Sequence, residues 1–138
     1  VDSVFYTGER YDRAVPFYTD TQNASLSIPL TWVPSFPGEV ADDTHVVCVE
    51  LVEGSTPLPT FQHPEKALYI FGPEDGTIEQ KVLDRADSVV FIPTIGCLNL
   101  AAAVNVMLYD RLAKMPASDC YEALIRESRD TNNQTKVK

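Results

Sequence analysis

The chain has 138 residues, 44% of them apolar, and a formal net charge of −9. That length and content suit one globular domain, residues 1–138, with a single real core, and exclude a long disordered tract. The acidity argues against broad electrostatic attraction to nucleic acid, leaving only local basic residues: Arg10 and Arg13, then Arg126, Arg129, Lys136 and Lys138 near the C-terminus.

No apolar run approaches a membrane span, and neither a signal peptide nor a membrane partner is expected. Cys48, Cys97 and Cys120 are odd in number, widely spaced and without a CxxC pair. A disulfide scaffold or a zinc site is therefore not expected, and a reducing cytoplasm is the simpler location.

In chain order, residues 1–6 read as a strand leading to a Gly turn. Residues 9–19 have mixed helix and loop character, limited by Pro16. A short strand is expected over 27–33, interrupted by Pro29, followed by a loop or single helical turn over 34–43. HVVCVELV, residues 45–52, is the continuous β-branched run of a parallel strand covered on both faces. Residues 53–64 carry Gly54, Pro57, Pro59 and Pro64 and read as an irregular connection. Ala67 to Phe71 is the next buried strand. Thr77 and Gln80 have the spacing of a capping box, opening a short helix to about Ala86. Residues 88–92 form a further strand, stopped by Pro93.

From Asn99 onward, Leu100, Val104, Leu108 and Leu112 recur at four-residue spacing, with Ala103 and Met107 beside them. The pattern predicts a helix of about four turns, apolar around most of its first half and covered on more than one side, partly by a second subunit. Ser118 or Asp119 is placed to cap a last helix reaching about Glu127. Strands alternating with helices imply an α/β fold: a mainly parallel sheet with helices on both faces.

Two stretches carry chemistry, ALYIFGPEDGTI (residues 67–78) and VFIPTIGCLNLAAAVNVMLYD (residues 90–110). Each is an apolar strand broken by a Gly, Pro, Asp or Asn turn that enters a helix. Ligands of open α/β sheets sit beyond the strand C-termini, where such turns expose backbone polar groups. The plain readings are that Glu74 is an exposed turn acid favoured by a helix dipole and that Asn99 is a helix N-cap. Cys97 reads as a small buried hydrophobe; His45 and His63 read as structural or exposed. Tyr6, Tyr11, Phe17, Tyr18 and Trp32 read as core more than as base-stacking residues. There is no P-loop, GxGxxG, GxSxG or HExxH, and no Ser/His/Asp spacing singles out a triad.

The two stretches resemble the second and third motifs of the SpoU, or TrmH-like, branch of the SPOUT RNA methyltransferases. The family's G-x-E-x-x-G-L corresponds here to Gly72-Pro73-Glu74-Asp75-Gly76-Thr77-Ile78. Its I-P, variable loop and S-L-N-[VL]-[SA] correspond to Ile92-Pro93 and Cys97-Leu98-Asn99-Leu100-Ala101, with Leu108-Tyr109-Asp110 matching a later L-Y-E. The match is specific over residues 67–112 and diffuse before them. The resemblance implies a C-terminal deep trefoil knot, S-adenosylmethionine as methyl donor, a homodimer and no metal. The acceptor would be a ribose 2′-hydroxyl of tRNA or ribosomal RNA. It also implies that Gly72, Ile92 and Leu98 bind the cofactor and that Glu74 and Asn99 serve the reaction.

The chain departs from the family pattern in four ways. Gly76 stands one residue early, the loop from Ile92 to Asn99 is short, and Cys97 replaces Ser. The first motif, an N-x-G turn and an R-A pair whose Arg assists at the hydroxyl, would precede VDSVFYTG and is not in this sequence. An N-terminal piece is therefore expected to be missing, which bears on catalysis more than on cofactor binding. The rival expectations are a non-catalytic knotted module that binds cofactor or RNA, and a doubly wound regulator with no nucleotide ligand.

Overall fold

The computed structural model describes residues 1–9, 23–36, 38, 40–116, 121–129 and 131–137. The segment 10–22, with its basic pair and three aromatics, lies outside them, as do Ser118, Asp119 and Cys120. Among the described residues there are six strands: β1 (Val4–Tyr6), β2 (Leu30–Trp32), β3 (His45–Val49), β4 (Thr56–Pro57), β5 (Ala67–Phe71) and β6 (Ser88–Phe91). The helices are α1 (Gln80–Leu83), α2 (Leu100–Lys114) and α3 (Tyr121–Ser128).

Among the described residues every pairing is parallel, in line with the mainly parallel sheet that the sequence pattern predicts, but there are two sheets rather than one. β1 pairs with β2, and the other four strands lie in the order β4-β6-β3-β5. The central strand β3 shows why helices are needed on both sides. Its side chains alternate across the sheet, and both sets are buried. Val47 and Val49 join Leu58, Phe61, Val90 and Met107 of α2 on one face. Val46 and Cys48 join Ile70, Ile78 and Val82 of α1 on the other. The predicted α/β class with helices on both faces is the observed one.

Several local expectations are corrected. β3 stops at Val49 rather than residue 52, and α1 ends at Leu83, with only turns continuing to Ala86. Glu79, extended at ψ 141, is the N-cap of α1, and its side chain makes no capping bond. The expected Thr77–Gln80 capping box is therefore not formed, because the chain enters the helix two residues later than that motif requires. The stretch read as irregular contains β4, which pairs with β6 on the sheet edge. An edge tolerates Pro57, whose missing N–H need not join the ladder.

The last turns of α2 hold the Pro-rich stretch in place. Lys114 Nζ donates to the carbonyls of Leu58 (2.6 Å) and Phe61 (3.0 Å) and pairs with Asp110 (2.7 Å). Arg111 donates to the carbonyls of Pro64 (2.6 Å) and Glu65 (2.7 Å) and to the Tyr69 hydroxyl (2.9 Å). These bonds tie carbonyls of the Pro-rich stretch to the helix, and the Leu58 carbonyl also accepts from the Phe61 N–H at 3.1 Å.

His63 is structural, as one of its two expected readings held. Its Nε2 lies 2.8 Å from Asp110 and its Nδ1 2.7 Å from the Tyr69 hydroxyl. A carboxylate can only accept, so Nε2 is the donor, and in the neutral imidazole Nδ1 accepts the Tyr69 proton. Burial opposes ionisation of Asp110, but the bonds from Lys114 and His63 outweigh it and hold the carboxyl below its ordinary value.

Two outcomes follow. Met107 is 0% exposed, so Met107→Ala should cost about 2–5 kcal/mol in urea unfolding. Because the Asp110 pKa is lowered by folding, its contribution is full above the unfolded value of about 3.9 and disappears as pH falls through the lower folded value. The difference in urea midpoint between wild type and Asp110→Asn should thus shrink as pH falls below about 4.

Candidate functional site

The topology aims two turns at the same edge. β3 lies between β5 and β6, and all three run parallel. The turn after β5 leads to α1 on one face of the sheet, and the turn after β6 leads to α2 on the other. This divergence opens a crevice at the strand C-termini, where doubly wound sheets hold ligands.

The turns are in contact. Glu74, exposed in the first, accepts a hydrogen bond at Oε1 from the backbone N–H of Leu100, at 3.3 Å. Leu100 opens α2, and the Oδ1 of its N-cap, Asn99, accepts from the N–H of Ala102 at 2.8 Å. Glu74 and Asn99 thus both face the positive end of one helix, where the first amides lack intrahelical partners. The plain reading of Asn99 as a cap is correct, and Glu74 supports the same helix end from outside.

Gly72 directly follows β5. Ile92 directly follows β6 and packs against the cluster containing Val47, Val90 and Met107. Leu98 is 37% exposed, and Ile95 beside it projects fully into solvent. Between them Gly96 adopts φ +85, a left-handed conformation that suits glycine, and its carbonyl accepts from the Thr94 hydroxyl at 2.8 Å. Cys97 is exposed, which corrects the expectation of a buried small residue. The short loop bulges outward, so its side chains miss the core. All five candidate residues therefore border one edge of the sheet: Gly72, Glu74, Ile92, Leu98 and Asn99.

Glu50 was not singled out by the sequence. It is the first residue beyond β3, and its Oε2 accepts from the Ile78 N–H at 2.9 Å. No motif marks it, since an acid closing an apolar run reads as an ordinary strand end. Its neighbour Cys48 is buried, and burial, aided by the Glu50 charge, pushes the thiol up to about 11. That sulfur is a packing group and not a nucleophile.

Two concavities lie elsewhere. One, of about 430 Å³, is at the opposite strand ends, lined by Asp42, Asp43, His45 and Lys66 among others. The other, of about 420 Å³, lies against the outer face of α2 at Val106 and Tyr109. The candidate edge is formed by exposed turns. Among the described residues nothing covers the face of α2 that carries Tyr109, which is 71% exposed. Among the described residues, no cluster of His, Cys, Asp or Glu could hold a metal ion, and no helix is long and apolar enough to cross a membrane.

Comparison with known proteins agrees with this geometry. The crystal structure of the A. aeolicus TrmH/SpoU tRNA modifying enzyme superposes with a TM-score of 0.63 at 17% identity. The match covers 82% of this chain and 61% of that one. At that identity the likeness is one of fold, and the chain spans about three-fifths of the enzyme's length. No curated protein matches the sequence. The sequence model of the SpoU rRNA Methylase family matches residues 2–109. That span runs from the first strand through most of α2 and includes both turns, so the chain belongs to the SpoU rRNA methylase family.

Proposed function

We propose that this chain is the cofactor-binding part of an RNA methyltransferase that moves a methyl group from S-adenosylmethionine to a ribose 2′-hydroxyl of tRNA or ribosomal RNA. The observation that carries the reading is the Glu74–Leu100 hydrogen bond, which joins the two family motifs across one crevice. The residues present suit such a donor. Ile92 and Leu98 offer apolar surface for an adenine ring, and Gly72 leaves backbone accessible beside them. When bound, S-adenosylmethionine supplies the electrophilic methyl.

In this reading Glu74 and Asn99 keep the N-terminus of α2 seated against the first turn. They also present polar atoms toward the incoming ribose. Holding an acceptor oxygen in line with the reacting bond supplies much of the rate in such a transfer. The half-buried Ile92 anchors the second turn to the core, so the loop carrying Leu98 moves little as the site fills. We further propose the family's deep trefoil knot for the C-terminal segment, a cytoplasmic location, and a homodimer in which the exposed face of α2 packs against a second copy.

Two departures inside the motifs, Cys97 for the usual Ser and Gly76 one residue early, favour a second reading, a binding module without activity. Isothermal titration with S-adenosylhomocysteine and methyl transfer to bulk tRNA and rRNA separate the two. Saturable binding and methyl transfer are both expected from the full-length protein. Binding without transfer to either pool would favour the module, and no saturable heat would remove the cofactor-binding reading. In the full-length protein, Asn99→Ala should cost about 1 kcal/mol of stability as a lost cap and lower transfer on the order of tenfold beyond the loss of folded protein, through poorer positioning. A loss of transfer that merely tracks unfolding would reduce Asn99 to a cap.

A further inference from the structure

We propose that Glu50 is a positioning residue for the methyl-donor loop, and that its carboxylate is the reason position 72 is glycine. The functional half of this rests on the reading above; the structural half does not.

Glu50 ties together the three strand ends that form the crevice. Its backbone N–H donates to the carbonyl of Val90 in β6, at 2.9 Å, on one side of β3. Its side chain turns to the other side. There Oε2 accepts from the Ile78 N–H at 2.9 Å, and Oε1 accepts from the Leu51 N–H at 3.0 Å. Ile78 is itself buried against Val46, Cys48 and Ile70. The loop 72–78 is thus anchored at its far end by an apolar side chain and a charge-assisted hydrogen bond, the stronger class of such bonds. With an amide on each oxygen, this carboxylate holds the backbone on both sides.

Gly72 needs no unusual backbone, since the left-handed glycines are Gly8, Gly54 and Gly96. Its constraint is space. A Cβ at position 72 would lie 2.8 Å from Glu50 Oε2 and 3.3 Å from Ile78 Cγ1. Any larger residue would therefore push the carboxylate away from the Ile78 amide. The missing side chain of Gly72 and the grip of Glu50 on Ile78 are one device. It sets where the backbone after β5 stands relative to the crevice.

A double-mutant cycle tests this, using Glu50→Ala, Gly72→Ala and the pair. Each is read by S-adenosylhomocysteine titration, by urea unfolding, and by hydrogen exchange at the Ile78 amide in the ligand-free chain. Each single change should weaken binding on the order of tenfold, and the pair no more than about twofold beyond the worse single, because both remove the same contact. Losses that multiply to about a hundredfold would overturn the coupling. Binding losses that only follow the folded fraction would overturn the positioning role. Exchange at Ile78 should quicken in both single variants, and unchanged protection would overturn the clamp itself. If wild type binds no S-adenosylhomocysteine, the functional reading fails, while exchange at Ile78 still decides the clamp. Glu50→Gln, which keeps the volume and one accepting oxygen, should fall between wild type and alanine. Protection equal to alanine's would overturn the acceptor's role.

Discussion

The double burial of β3 is the constraint from which the rest of the molecule follows. A five-residue strand with valines and a cysteine on both faces can be stable only between two apolar layers. The chain supplies them by sending α1 to one side and α2 to the other. Each helix must leave its strand at the same C-terminal edge, because every strand in this sheet is parallel. The crevice between the two departing turns is therefore a consequence of core packing. The position of the candidate site follows from those hydrophobic layers.

α2 links that edge to the remainder of the core. At its N-terminus Glu74 and Asn99 satisfy orphan amides. Met107 fills the core in its middle, and at its C-terminal end Arg111 and Lys114 bind carbonyls of the Pro-rich stretch. Cations near the last turn and polar acceptors near the first are the arrangement that the helix dipole favours. The same helix that borders the proposed methyl-donor site also fixes the connection ahead of β5. Displacement at either end would be felt at the other through one rigid element.

Much of this was legible in residue order because it depends on periodicity. A continuous β-branched run announces a strand covered twice, four-residue spacing from Leu100 announces a helix, and Asn99 at its start announces the cap. Both motif turns are also local strings. Errors arose where a local signal competed with distant packing. Thr77 and Gln80 have capping-box spacing, yet the anchoring of Ile78 delays the helix. Cys97 has the size and polarity of a core residue, yet the left-handed turn at Gly96 carries it into solvent.

What residue order decided, then, is the class of each segment: which runs must be buried, which turns must break, and which motifs mark the family. What folding alone decided is which distant groups meet. The pairing of Glu50 with Ile78, the steric reason for Gly72, and the chain from Arg111 through Tyr69 and His63 to Asp110 join residues far apart in the chain. No spacing rule encodes such contacts. They arise because parallel strands place successive C-termini side by side, bringing a carboxylate on one strand end against the amides of the next connection.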